Sequence, residues 1–129
     1  MIQVASDLTR VEQLLIDGHR KIGRSSVEYF CETGFCQPSI KSVNKNVKII
    51  GSVFALKIVG KIRAVINKVY EFAKLGNVLV IEGGKGNYYA FAGEFSTIKS
   101  INLRIFGLVV DGYVTNCLEI EKLWLPSYS

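Results

Sequence analysis

The chain has 129 residues, 49% of them hydrophobic and 21% charged, and a formal net charge of +5. That length suits one domain with a buried core, and that balance excludes a disordered chain. No apolar run is long enough to cross a bilayer, and the start Met-Ile-Gln-Val-Ala-Ser-Asp has no signal-peptide pattern, so a cytoplasmic protein without a membrane partner is expected.

Residues 1–35 read as a helical N-terminus. Ser6 to Asp17 predicts a first helix: Thr9 and Glu12 fit a capping box, Leu8, Val11 and Leu15 share a face, and Gly18 can end it. His19-Arg20-Lys21 follows as an exposed link. Ser25 and Glu28 form a second capping box, opening a helix with Val27, Phe30 and Cys31 on one side and a stop at Gly34. Cys36 to Asn46 reads as loop. Cys31, Cys36 and Cys117 are an odd count. A Cys31–Cys36 bridge stays open, but buried or idle thiols suit the expected compartment better. A zinc site would need a fourth ligand, and the one histidine is His19.

The core is expected over residues 47–129. Val47 to Val59 is nearly continuous apolar sequence around Gly51, the pattern of a buried strand. Lys61 to Lys74 predicts a helix whose Ile62, Val65, Ile66, Val69, Phe72 and Ala73 fall on one arc. Lys41, Lys45, Lys48, Lys57, Lys61, Arg63, Lys68 and Lys74 lie in a segment with a single acid, Glu71. No aromatic–basic signature accompanies them, so they read as a solvated face, and nucleic acid is not the expected partner.

Gly76 then turns the chain into a strand–loop–helix–strand unit. Val78 to Ile81 and Leu108 to Val110 are short β-branched runs, each ending at an acid followed by glycine: Glu82-Gly83-Gly84 and Asp111-Gly112. Such a crossover joins parallel strands, and ligands lie beyond their carboxyl ends. Glu82-Gly83-Gly84-Lys85-Gly86 has neither the spacing of a P-loop nor that of a dinucleotide fold. Gly93-Glu94 is expected to begin a helix running through Phe95, Ile98, Leu103 and Ile105. Asn116 to Lys122 suggests a short helix.

Gly76 to Gly84, Ala90-Phe-Ala-Gly93-Glu94 and Gly107 to Asn116, in that order, resemble the regulator of ribonuclease activity A family, and Leu123 to Tyr128 resembles that family's next short strand. Its enzymatic members are metal-dependent hydroxymethyl-oxoglutarate/carboxy-hydroxy-oxoadipate aldolases, and some relatives are labelled demethylmenaquinone methyltransferase. The resemblance implies an α/β fold with a layered β/β/α core of the swivelling, phosphohistidine-domain-like type, C-terminally short here and assembled as a trimer. In the aldolases, backbone amides of the glycine–acid segment hold a keto-acid, the acid helps place a divalent metal, and a following Arg-Asp pair grips substrate and metal.

Transferred to this chain, substrate contacts fall on Gly93, Glu94, Phe95 and Thr115, and metal contacts on Glu94 and Asn116, with magnesium or manganese as the ion if the protein is active. Thr115 and Asn116 stand where the family has Arg-Asp. Threonine lacks the guanidinium's charge and paired donors, and asparagine offers a metal no negative oxygen. The plainer reading makes Thr115 or Asn116 an N-cap and Glu94 a dipole-stabilised charge worth roughly 0.3–1 kcal/mol. The leading expectation is a non-catalytic binding or regulatory member with no required cofactor, bound to a small keto-acid or a protein. The alternatives are a metal-dependent aldolase or oxaloacetate decarboxylase releasing pyruvate and, behind it, an RNA-binding protein. Methyl transfer is not expected.

Overall fold

A computed structural model describes residues 9–58, 62–83 and 90–129. Four strands make the main sheet: β1 (Ser52–Lys57), β2 (Asn77–Glu82), β4 (Gly107–Asp111) and β6 (Ser127–Tyr128), in the order β1-β2-β4-β6 and all parallel. A second sheet pairs β3 (Ala90–Ala92) with β5 (Tyr113–Val114), also parallel. The helices are α1 (Gln13–Arg20), α2 (Arg24–Phe30), α3 (Ile62–Phe72), α4 (Glu94–Asn102) and α5 (Cys117–Lys122). The fold is therefore α/β with a parallel sheet, and the β2–α4–β4 crossover joins parallel neighbours as its sequence pattern predicts.

Phe54, Leu79, Ile81, Leu108 and Val110 from the main sheet form the centre of the core, packed with Val69, Tyr70, Phe91, Ile105 and Leu125. β2 and β4 are interior strands and read as unbroken apolar runs, because both of their faces are covered. At β6 the sheet gains one more partner. Residues 41–43 run antiparallel to it: the Lys41 and Val43 amides donate to the carbonyls of Ser129 and Ser127, and the Ser129 amide donates back to Lys41. Asn44, 4% exposed, locks this strap, with Oδ1 accepting from the Ser127 amide at 2.8 Å and Nδ2 donating to the Ile120 carbonyl. Residues 36–46, expected as loop alone, thus carry a sheet contact. Every polar group of this buried asparagine that meets the core is paired.

Several boundaries differ from the sequence expectation. The first helix starts at Gln13 and passes through Gly18; its N-cap is Glu12, not Thr9, and makes no side-chain cap bond, while the second N-cap, Gly23, has no side chain to make one. Ser25 lies inside α2, not at its cap, and the helix ends at Phe30, before Gly34 with its left-handed φ of +92°. Ser6, Leu8, Lys61 and Gly84-Lys85-Gly86 lie outside the described residues, as do the side chains of Glu28, Ile62, Arg63 and Val65.

Within the long apolar run over residues 47–59, of which residues 47–58 are described, Ser52–Lys57 forms a strand. It is an edge strand, not a buried one, with Val53 59% exposed. Gly51 precedes it because a Cβ there would sit 2.6 Å from the Gly76 carbonyl oxygen. On α3, Val69 is buried and Ile66 and Ala73 pack on the core, but Phe72 is exposed and Tyr70 takes its place inside. α4 stops at Asn102. Leu103 is its C-cap, Arg104 turns left-handed, and Ile105 is buried beyond the helix. Only Ser127–Tyr128 of the expected final strand is extended. No helix among the described residues is long and apolar enough to cross a membrane.

Candidate functional site

Glu82 and Asp111 end β2 and β4 in register, and both side chains face solvent. Lys57, the residue opposite Glu82 on β1, closes a 2.9 Å ion pair with it. The pair is half-exposed or more on both sides, so it contributes little to stability. The glycines after these acids have a packing role. A Cβ on Gly83 would lie 2.3 Å from Phe91, and one on Gly112 would lie 2.5 Å from the same ring. Phe91 is 2% exposed. The two glycines at the carboxyl ends of the strands therefore admit the ring that joins the second sheet to the core.

One turn further along, β3 delivers the chain to Gly93 at the head of α4. The Gly93 amide donates to Ser96 Oγ at 2.8 Å, while its carbonyl accepts from Ser96 Oγ, the Thr97 amide and Thr97 Oγ1. Both backbone groups of Gly93 are thus engaged within the helix start. Within the glycine–acid segment whose amides were expected to face a ligand, the Gly93 amide is engaged by Ser96. The free donors of the first turn belong to the residues that follow it, as in any helix. Glu94 occupies that turn and is exposed, and Phe95 is 73% exposed.

Thr115 meets this helix start from β5. Its amide donates to the Ala92 carbonyl at 3.0 Å, extending the β3–β5 pairing, and its hydroxyl would lie 2.7 Å from a Cβ on Gly93. Gly93 is accordingly fixed by space, not by backbone angle: its φ of −168° is ordinary extended geometry. Asn116 is the next residue, left-handed at φ 58°, ψ 46°, exposed, and the N-cap of α5. Its carbonyl accepts from the Ile120 amide, but its side chain makes no cap bond. Asparagine is among the few residues that hold this conformation at little cost. The structure therefore brings Gly93 and Thr115 into contact and sets Glu94 and Asn116 beside them in the chain.

Two residues that sequence reasoning passed over steady this site. Tyr70 of α3 places its hydroxyl 2.9 Å from both the Ser96 carbonyl and Ser100 Oγ, so α3 holds the first turns of α4. Burial pushes the Tyr70 hydroxyl pKa above 10.0, and the hydrogen bonds to Ser100 and Ser96 offset part of that rise. Ser96 is the other, bonded to both sides of Gly93. A serine three residues into a helix start is a weak signal, but it was present.

The donor set fits a divalent metal poorly. Glu94 gives one charged oxygen and Asn116 a neutral one, and among the described residues no three His, Cys, Asp or Glu side chains gather to hold an ion. Among the described residues the basic side chains are mostly exposed, and some have definite partners. Lys57 meets Glu82, and Lys48 Nζ donates to the carbonyls of His19, Arg20 and Ile22 at the end of α1. Arg20 lies over the Phe106 ring at 5.3 Å, and these residues with Ile50 line a shallow hollow. All three cysteines are free and exposed, so the thiols are idle but not buried.

The sequence model of the RraA-like family, described as aldolase/RraA, matches residues 15–129. No curated protein matches the chain. Among solved structures, an uncharacterized protein from Pseudomonas syringae pv. tomato superposes with a TM-score of 0.78 at 19% identity, covering 100% of this chain and 61% of its own. Streptomyces coelicolor RraAS2, an unusual member of the RNase ES inhibitor RraA protein family, gives 0.78 at 16% identity over 92% of this chain and 64% of its own. The RNA-processing inhibitor RraA from Thermus thermophilis gives 0.72 at 21% identity, over 84% and 66%. The chain thus spans about three-fifths to two-thirds of these structures, and at such identities the likeness establishes the fold.

Proposed function

The chain belongs to the RraA-like family, and on that premise we propose that it is a binding or regulatory protein that keeps the family scaffold without aldolase catalysis. One observation carries this reading: the residues in the Arg-Asp positions are Thr115, seated against Gly93, and Asn116, held left-handed as a helix N-cap. An aldolase of this kind stabilises an enolate with a metal and grips the carboxylate with a guanidinium. Here the first has one charged ligand and the second has none. No catalytic step is therefore assigned.

What persists is a helix start with an exposed acid and an exposed aromatic, Glu94 and Phe95, on a rigid support. Such a surface suits a partner protein. The Streptomyces and Thermus structures bear the names of RNase ES and RNA-processing inhibitors, so a ribonuclease is the class of partner proposed. Among the described residues β1 is an edge strand, which supports self-association as well, and the family resemblance makes a trimer the proposed state.

The deciding experiment pairs two assays on the purified protein. Pyruvate release from oxaloacetate with magnesium or manganese should match a protein-free control. Ribonuclease E-type activity should fall when the protein is added. Robust metal-dependent turnover would overturn the proposal in favour of a lyase built on Glu94 and Asn116.

A further inference from the structure

The sequence marks one face of each N-terminal helix as apolar: Val11 and Leu15 on the first, Val27 and Phe30 on the second. In the structure these are the sides left in water. Leu14 is 80% exposed, Tyr29 85% and Phe30 81%, and Val11, Leu15 and Val27 are exposed too. Of the apolar residues of α1, only Ile16 is buried. None of the described side chains of α2 is buried.

α2 has seven residues, well under the ~12–15 that an isolated helix needs even with favourable composition. A helix this short, with Tyr29 and Phe30 stacked edge to face at 5.2 Å in open solvent, lacks the tertiary packing that ordinarily sustains it. α1 is tied to the body: the Val11 amide donates to Ser52 Oγ, Lys48 binds the carbonyls that end α1, and Arg20 covers Phe106. It anchors the segment that leads into α2, and both helices carry exposed apolar side chains.

We propose that the α1–α2 surface is a self-association face that packs against the same face of a second copy of this chain. Two observations choose that occupant. Val11, Leu14, Leu15, Val27, Tyr29 and Phe30 expose roughly 800 Å² per protomer at the usual size of such side chains, and a standard interface takes about 800 Å² from each partner. Charge makes the second case. Residues 9–36 hold four bases, Arg10, Arg20, Lys21 and Arg24, against four acids, Glu12, Asp17, Glu28 and Glu32. The rest of the chain carries the whole net charge of +5. Two copies meeting here bring together segments with no net charge and charges of both signs, so self-contact carries no net repulsion. An acidic partner would gain more from the remainder. A face that meets itself is related by a two-fold axis, which is distinct from the three-fold assembly proposed above and does not depend on it.

The test is light scattering at micromolar concentration on the full chain and on Leu14→Glu with Phe30→Glu. Both positions are exposed in the protomer, so far-ultraviolet circular dichroism should be unchanged. Wild type should have an even number of subunits, and the double variant half that mass. As a second readout, Cys36→Ser with Cys117→Ser leaves only Cys31, at the end of α2. A short bismaleimide should then couple two chains efficiently, and the Leu14→Glu, Phe30→Glu changes should abolish that coupling. A trimer unaffected by the double variant would overturn this pairing while leaving the three-fold proposal standing. A wild-type monomer would overturn both, and an even assembly that survives the double variant would overturn this face alone.

Discussion

If Gly83 exists to admit the Phe91 ring, adding one methyl there should be costly, and shrinking the ring should relieve it. A Cβ at Gly83 would sit 2.3 and 2.5 Å from ring carbons of Phe91 and 2.8 Å from the Asp111 carbonyl oxygen. The ring is 2% exposed and cannot swing into solvent without leaving the core. Overpacking of this kind costs about 1–3 kcal/mol, and the backbone oxygen places Gly83→Ala in the upper half of that range. Phe91→Leu alone should cost about 1.5–3 kcal/mol, less than the ~3–5 of a full truncation to alanine. In the double variant the methyl fills space the ring has vacated, so its cost should fall short of the sum by about 1 kcal/mol or more. Contact with the Asp111 carbonyl leaves a remainder. Urea unfolding followed by circular dichroism, at one fixed protein concentration, measures all four corners of the cycle. Additivity within about 0.5 kcal/mol would refute the argument, since that is the behaviour of residues that do not touch.

The site chemistry makes a second expectation: Asn116→Asp should raise magnesium or manganese affinity in a calorimetric titration, Thr115→Arg alone should change it little, and the two together should exceed their sum. Tyr70 governs alkaline behaviour. Its folded-state pKa is raised by burial, so its contribution to stability is whole below pH 10.0, the ordinary value, and is lost as pH rises through the folded value. Thermal melts should show that decline in wild type and a flatter profile for Tyr70→Phe, which itself costs about 1 kcal/mol through the lost hydrogen bonds. Trp124 is left-handed at φ 60° and 80% exposed, so Trp124→Gly should stabilise by about 1 kcal/mol; a loss in urea would show that the indole packs on something. Lys48→Met removes the ammonium that ends α1, and hydrogen exchange should then quicken in Gln13–Arg20 more than in β2 or β4.

The central unit was legible because its signals are local and redundant. β2 and β4 are apolar on both faces, each is closed by an acid and a glycine, and the segment between them is too long for a hairpin. Contact between Gly93 and Thr115 follows from the β3–β5 pairing, but β3 itself was hidden: three residues of Ala-Phe-Ala give no period to read. The glycines showed where space was needed without showing that Phe91 needs it. The N-terminal helices misled in a different way. Their apolar faces are real, but periodicity reports a face that wants cover, not which molecule supplies it. On α3 the pattern counted Phe72 and overlooked Tyr70, because a tyrosine enters a core only where its hydroxyl finds partners, and those partners, Ser96 and Ser100, lie about 30 residues away.

The strap over β6 also bears on the order in which the molecule can be made. Lys41, Val43 and Asn44 precede residues 120–129 in synthesis, yet the backbone bonds of Lys41 and Val43 and both side-chain bonds of Asn44 are to that later segment. Asn44 waits through 83 further positions before the Ser127 amide exists. Until then its carboxamide is best left in water, and the edge of β4 beyond it stays unclaimed. Folding on the ribosome therefore cannot proceed as a simple front from the N-terminus. Residues 41–44 are stitched down by residues 120–129, so a nascent chain that has grown just short of Ser127 would carry most of the main sheet with this seam open.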